Sequence, residues 1–224
     1  MENSTCEILP QDYNKFDYSF KLIVIGDSGV GKTTFISRLI DRFEENAAST
    51  FGVSYVTKEL KIDNILVHFD IWDTAGQEKY HAVNRLFYVD SKICIIVYDI
   101  TNRTTFNNAC NFWYKAIKNE ISDNIIIGLA GNKSDLYSKE EVKEEEASNY
   151  AKEKNIIFSL TSSYDNTGVN ELFYKLGKMY LNLYHKGILK NEVTNTGRIV
   201  LKQKNNSDTE NENQINRRTC CKRN

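Results

Sequence analysis

Nine consecutive residues, Gly26-Asp27-Ser28-Gly29-Val30-Gly31-Lys32-Thr33-Thr34, combine the residue types that hold a phosphate. Glycines let the backbone approach closely, successive N–H groups and the start of a following helix supply partial positive charge, and Lys32 supplies a full one. In this pattern the Thr33 hydroxyl is placed for Mg²⁺. Alone, the spacing G-x-x-x-x-G-K-[ST] is also readable as a glycine-rich turn with a surface lysine. Its flanks favour the cradle: an apolar run from Phe20 to Ile25 precedes it, and the amphipathic set Phe35, Ile36, Leu39, Ile40 and Phe43 follows. Strand, glycine loop and helix make Ser28, Gly29, Val30, Gly31, Lys32, Thr33 and Thr34 the candidate phosphate contacts.

Two further groups complete a candidate site. Asp73-Thr74-Ala75-Gly76-Gln77 directly follows a strand ending Ile71-Trp72. An aspartate there can hold Mg²⁺ through water, Gly76 can offer its N–H to a terminal phosphate, and Gln77 can orient an attacking water. Asn132-Lys133-Ser134-Asp135 follows the apolar run Ile125 to Ala130. The Asp135 carboxylate can accept the N1–H and 2-amino donors of guanine, a pair adenine lacks. Asn132 would tie its loop to the phosphate loop, and the Lys133 stem can cover the flat base.

The elements that must position these residues alternate. Leu60-Ile62 leads through Asp63-Asn64, a two-residue hairpin turn, into the alternating strand Ile65, Val67, Phe69, Ile71, so this pair is expected antiparallel. Lys92 to Tyr98, Ile125 to Gly131 and Ile156 to Leu160 read as buried strands, with a helix over Thr104 to Glu120 between the first two. Ser138-x-x-Glu141 reads as a capping box opening a helix to about Lys154, and Val169, Leu172, Phe173, Leu176, Met179, Tyr180 and Leu183 mark one face of a closing helix. The expected fold is α/β: a doubly wound six-stranded sheet, mostly parallel, with one antiparallel edge hairpin and helices on both faces. Ligands in such sheets bind at the carboxyl ends of the strands, where each group above falls.

Composition narrows the setting. A net charge of -1 gives no global drive toward nucleic acid, and no apolar run approaches the roughly 18 residues of a membrane span. Five cysteines make no disulfide framework; Cys94 and Cys110 read as small core hydrophobes. Residues 1–17 read as a flexible extension, 18–185 as the domain, and 186–224 as a disordered tail dominated by Asn, Lys, Glu, Ser and Thr. Glu44 to Ser54 reads as a loop able to change conformation. The histidines His68, His81 and His185 share no ligand spacing.

Gly26 to Thr33, Trp72-Asp73-Thr74-Ala75-Gly76-Gln77-Glu78 and Asn132 to Asp135, in this order, resemble the Ras superfamily of small GTPases over roughly residues 18 to 185. Val97-Tyr98-Asp99-Ile100-Thr101 and the terminal Cys220-Cys221 resemble the Rab family within it. Tyr80-His81-Ala82 and Asp90-Ser91 are similar to its endosomal branch. The resemblance implies a switch that binds GTP or GDP with Mg²⁺ and hydrolyses GTP, with Gln77 the catalytic residue and Thr33, Thr50 and Asp73 on the metal side. It implies that Phe43 stacks on the guanine, that Tyr55, Trp72 and Phe87 form an effector surface, and that Cys220 and Cys221 carry geranylgeranyl groups. Two lipid chains hold a membrane where one does so marginally, and the four neighbouring cations add to that.

The implied partners are an exchange factor, a GTPase-activating protein supplying an arginine in trans, Rab escort protein, GDP dissociation inhibitor and effectors. A membrane is added through the prenyl groups; nucleic acid is not expected, and the chain reads as a monomer of the cytosol and the cytoplasmic face of intracellular membranes, early endosomes among them. The chain also departs from the family. Its last guanine motif, usually Thr-Ser-Ala-Lys, reads Thr161-Ser162-Ser163-Tyr164, where Ser162 and Ser163 still offer backbone contacts to the base; Ala47 stands where a tyrosine lid is common; and Phe51-Gly52-Val53-Ser54-Tyr55 replaces Ile-Gly-Val-Asp-Phe. A guanine-nucleotide scaffold with negligible turnover, a P-loop nucleotide kinase and a nuclear transport GTPase are the competing readings.

Overall fold

Strands that are apolar at every position must be covered on both faces, whereas alternation leaves one face to solvent. The computed structural model describes residues 17–41, 53–74, 88, 90–120 and 125–189. Six strands, β1 (Tyr18–Ile25), β2 (Val53–Ile62), β3 (Ile65–Thr74), β4 (Ile93–Asp99), β5 (Ile126–Asn132) and β6 (Ile157–Leu160), form one sheet in the order β2-β3-β1-β4-β5-β6. Every residue of β4 and β5 is buried. The pairs β1–β3, β1–β4, β4–β5 and β5–β6 are parallel; only β2–β3 is antiparallel. Asp63 (φ 48°) and Asn64 (φ 69°) both take the left-handed region in the hairpin turn, which suits the strand twist and which Asp and Asn tolerate better than most residues.

Among the described residues five helices surround the sheet: α1 (Lys32–Leu39), α2 (Arg103–Asn108), α3 (Tyr114–Glu120), α4 (Glu144–Lys154) and α5 (Val169–His185). A π-helical segment, Ala109–Trp113, joins α2 to α3, so the single helix expected from Thr104 to Glu120 is interrupted by one wide turn. The period-two alternation divides each inner strand between two cores. Leu22, Val24, Ile93, Ile95 and Val97 face Phe35 and Leu39 of α1 and Leu172, Phe173 and Leu176 of α5. Ile23, Ile25, Cys94, Ile96 and Tyr98 face Phe106, Trp113, Ile117 and Ala147 on the other side. Burial of both faces is thus built into the strand pattern itself.

Two local expectations are corrected. The Ser138-x-x-Glu141 capping box does not form: α4 begins at Glu144, and Ser134–Lys139 is a 3₁₀ turn. The Glu141 carboxylate instead accepts the Arg103 N–H at 2.8 Å, and the N–H groups of Glu141 and Val142 both donate to the Ile100 carbonyl, at 2.8 and 3.1 Å. Burial of Val142 holds this extended segment, and tertiary bonding outcompetes the local cap. The strands β4 and β5 also run one residue further than their apolar runs, because Asp99 and Asn132 stay paired in the ladder. Their polar side chains are thereby delivered at the carboxyl edge of the sheet. Of the expected extension (1–17), loop (44–54) and tail (186–224), residues 1–16, 44–52 and 190–224 lie outside the described residues. Val53 and Ser54 already belong to β2, and Leu189 is buried against the core, so the packed domain runs past the expected end at residue 185.

Candidate functional site

The loop between β1 and α1 has little room for side chains. At Gly26 (φ 143°) an added Cβ would stand 2.2 Å from the Val97 carbonyl oxygen, and at Gly31 (φ 94°) 2.6 Å from Asn132 Nδ2, so only glycine fits either place. Lys32 is buried and its ammonium donates to the carbonyls of Gly26 (2.9 Å) and Asp27 (2.8 Å), which curls the loop around the amine. Burial pushes that amine down to about 8, against the opposing pull of the Asp73 and Asp27 charges. A buried cation encircled by backbone is suited to an anionic ligand, whose charge would raise that pKa again. Val30 is fully buried, while Ser28 and Gly29 are exposed at the rim and Thr34 is half-buried.

Asp73, buried at the carboxyl end of β3, accepts a hydrogen bond from the Thr33 hydroxyl at 2.7 Å. The parallel register of β1 with β3, in which Val24 pairs with Asp73, brings these residues together across 40 positions of sequence. Two hard oxygen donors this close, beside a lysine, fit a small hard cation that keeps several waters and shares a phosphate.

Asn132 is the hub. Its Nδ2 donates to the Val30 carbonyl at 2.8 Å, and its Oδ1 accepts from the Ser163 N–H (3.2 Å), the Ser163 hydroxyl (3.0 Å) and the Thr161 hydroxyl (3.4 Å). One buried carboxamide thus joins the phosphate loop, the carboxyl end of β5 and the loop after β6. The Ser162 hydroxyl donates to Asp135 Oδ1 at 2.6 Å and accepts from the N–H groups of Tyr164 and Asp165, both at 3.2 Å. This fixes the Asp135 carboxylate beside Ser162 and Ser163. Lys133 takes the left-handed conformation (φ 66°) and its ammonium pairs with Asp99 Oδ2 at 2.6 Å, while Asp99 Oδ1 accepts from the Thr101 N–H and hydroxyl. The lysine stem is therefore held at its far end.

Sequence reasoning missed three members of this assembly. Arg38 of α1 donates from Nε to the Ser163 carbonyl (2.9 Å) and from Nη2 to the Tyr164 carbonyl (2.5 Å), a fork that grips the loop carrying the unusual Ser163-Tyr164 pair. Asp99 anchors Lys133, and Asp27 accepts from Asn108 Nδ2 and Trp113 Nε1, each at 2.7 Å. For Asp99 and Asp27 a polar residue at a strand end or in the phosphate loop was the available signal; Arg38, inside α1, had none.

On the sheet's other edge Tyr55 and Trp72 pair across β2 and β3, with ring centroids 5.4 Å apart in an edge contact and Lys21 Nζ 4.9 Å over the indole. Tyr55 is 52% exposed and donates its hydroxyl to Asp70 at 2.5 Å. Cys94 is buried and Cys110 half-buried, as small hydrophobes would be. His68 stands beside Glu59 and Asp70, and His185 shares a hydrogen bond with the Tyr18 hydroxyl. Phe43, Ala47, Thr50, Gly76, Gln77, His81, Phe87, Cys220 and Cys221 lie outside the described residues.

The Ras family model matches residues 21–182, well over half of the 224. With its six-stranded sheet, its single antiparallel edge pair and three loops joined at the carboxyl ends of the strands, the chain belongs to the Ras family of small GTPases.

Proposed function

We propose that this Ras-family GTPase is of the Rab type and acts as a GDP/GTP switch in vesicle-mediated traffic, at endosomal membranes. Members of the family bind GTP and GDP with Mg²⁺ and hydrolyse GTP. The observation that carries the site assignment is the Asn132 carboxamide, which binds the phosphate loop and the Thr161–Ser163 loop into one unit. The Rab reading rests on Val97 to Thr101 and on Cys220-Cys221, whose lipids would attach the switch to a membrane.

In this reading Lys32 and the loop N–H groups hold the β- and γ-phosphates, and Thr33 and Asp73 hold the metal side, joined by Thr50 when GTP is bound. Bound Mg²⁺ would offset charge on the β- and γ-oxygens. Asp135 takes the N1–H and 2-amino donors of guanine, the stem of Lys133 lies along the base, and Phe43 stacks against it. Gln77 orients the attacking water, and an activating protein supplies an arginine in trans. Loss of the γ-phosphate releases the segments around Thr50 and Gly76, ending effector contact through Tyr55, Trp72 and Phe87. Exchange factor, Rab escort protein and GDP dissociation inhibitor complete the cycle.

Single-turnover phosphate release from the GTP-loaded protein tests the enzyme. Parent protein is expected to release phosphate, and Gln77→Leu to slow it at least tenfold. No release from the parent would leave a guanine-nucleotide scaffold in place of an enzyme. Imaging of the tagged chain beside a Cys220→Ser, Cys221→Ser form tests the membrane role, which identical diffuse signals would refute.

A further inference from the structure

We propose that Asp27, Asn108 and Trp113 form a positioning clamp for the phosphate loop, and that the π-helical turn is what builds it. The inference rests on the reading of residues 26–34 as a phosphate cradle. Asp27 Oδ1 accepts from Trp113 Nε1 and Oδ2 from Asn108 Nδ2, each at 2.7 Å, across 86 and 81 positions of sequence. Both distances are short for N–H···O and typical of a charge-assisted bond.

Asn108 and Trp113 are five residues apart. In an α-helix of 3.6 residues per turn such residues lie about 140° apart around the axis and cannot both face one carboxylate. In the segment Ala109–Trp113 the Tyr114 N–H donates to the Ala109 carbonyl, an i to i+5 bond, and a turn of that width brings the two side chains to within about 50° of each other. The wide turn thus converts two faces of a helix into one pincer. Its jaws are firm: Trp113 is 3% exposed and its ring sits in the core with Phe106 and Ile117. A buried indole N–H needs an acceptor, and Asp27 is that acceptor.

What is held is the start of the cradle. The main-chain carbonyl of Asp27 accepts from Lys32 Nζ at 2.8 Å, so one residue connects the clamp on its side chain to the phosphate-binding lysine on its backbone. The two donors also answer a charge problem. A carboxylate beside a polyphosphate site is repulsive, and occupying both of its oxygens with donors weakens its field there. None of the three residues need touch the nucleotide; they act through the loop.

The test compares Asp27→Ala, Trp113→Phe, Asn108→Ala and the Asp27→Ala/Trp113→Phe double variant with the parent, in the full chain with Mg²⁺. The readouts are GDP dissociation rate and equilibrium affinity for GDP and for GMP. Because the clamp shapes the part of the loop that meets the β-phosphate, each single variant is expected to release GDP at least fivefold faster while GMP affinity changes less than twofold. The double variant is expected to be no faster than the faster single. Parallel losses for GDP and GMP would show a structural role only and overturn the clamp, as would parental GDP release from every variant. Should Trp113→Phe fold poorly by near-UV circular dichroism, the Asn108→Ala pair of affinities decides alone. A parent that binds GMP and GDP equally would overturn the cradle reading beneath the proposal.

Discussion

Replacing Asn132 by alanine removes the tie between the phosphate loop and the loop after β6, and the structure gives the cost. The variant leaves the Val30 carbonyl, in a fully buried residue, without the donor at 2.8 Å, and the Ser163 N–H, in a residue 5% exposed, without the acceptor at 3.2 Å. A buried polar group stripped of its partner costs roughly 1–3 kcal/mol, so two such groups cost about 2–6 kcal/mol. Against a typical total of about 5–15 kcal/mol this is a large fraction. In a domain of this size each kcal/mol shifts Tm by about 2–4 °C, which places the expected fall near 10 °C. Urea unfolding with and without saturating GDP is the assay, and the loss should exceed 2 kcal/mol in both series. A companion, Asn132→Asp, keeps the shape but puts a carboxylate oxygen against the Val30 carbonyl. Burial raises the folded-state pKa of that acid, so its folded form binds more protons than its unfolded form. Its deficit relative to the parent should therefore grow as pH rises from 5.5 to 7.5, the protonated acid being able to donate. Loss of less than 0.5 kcal/mol for Asn132→Ala in both series would refute the hub.

Other outcomes follow from single contacts. Thr33→Ala and Asp73→Asn should each raise the Mg²⁺ concentration needed to slow GDP release at least tenfold, leaving release without Mg²⁺ within threefold of the parent; unchanged Mg²⁺ titrations would detach both residues from the metal. Gly177 of α5 has no space for a side chain, since a Cβ there would lie 2.4 Å from Ile62 Cδ1 and 3.0 Å from Phe69, so Gly177→Val should destabilise by about 1–3 kcal/mol by urea unfolding, and Ile62→Ala in that background should restore part of it. Burial pushes the Cys110 thiol up to about 11 from 9.0, which lowers its thiolate fraction at pH 8 about a hundredfold. In a Cys6→Ser, Cys220→Ser, Cys221→Ser background, iodoacetamide should label Cys110 about that much more slowly in the native protein than in urea, and equal rates would show that the thiol is open.

The sequence by itself determined the order of elements, the antiparallel hairpin at Asp63-Asn64 and the phosphate loop. Each of these is local: apolar runs mark the strands, two residues at positive φ set the turn, and strand-glycine-helix punctuation sets the loop. It also marked Asp73, Asn132 and Asp135, because polar residues at the ends of apolar strands face the one edge where a parallel sheet binds ligands. Tertiary structure decided the rest. The capping box at Ser138 and Glu141 had the right residues, but Arg103 and the Ile100 carbonyl competed for them from another part of the chain. The interruption of the 104–120 helix left no mark in its hydrophobic period; it shows only in the folded chain, where Asn108 and Trp113 both reach Asp27 across the wide turn. Arg38 carries no distinguishing signal in the sequence; the fold places the Ser163 and Tyr164 carbonyls within its fork. Patterns of burial repeat along the chain and can be read from it; a hydrogen bond between residues a hundred positions apart depends on where two loops finally stand, and only the packed sheet fixes that.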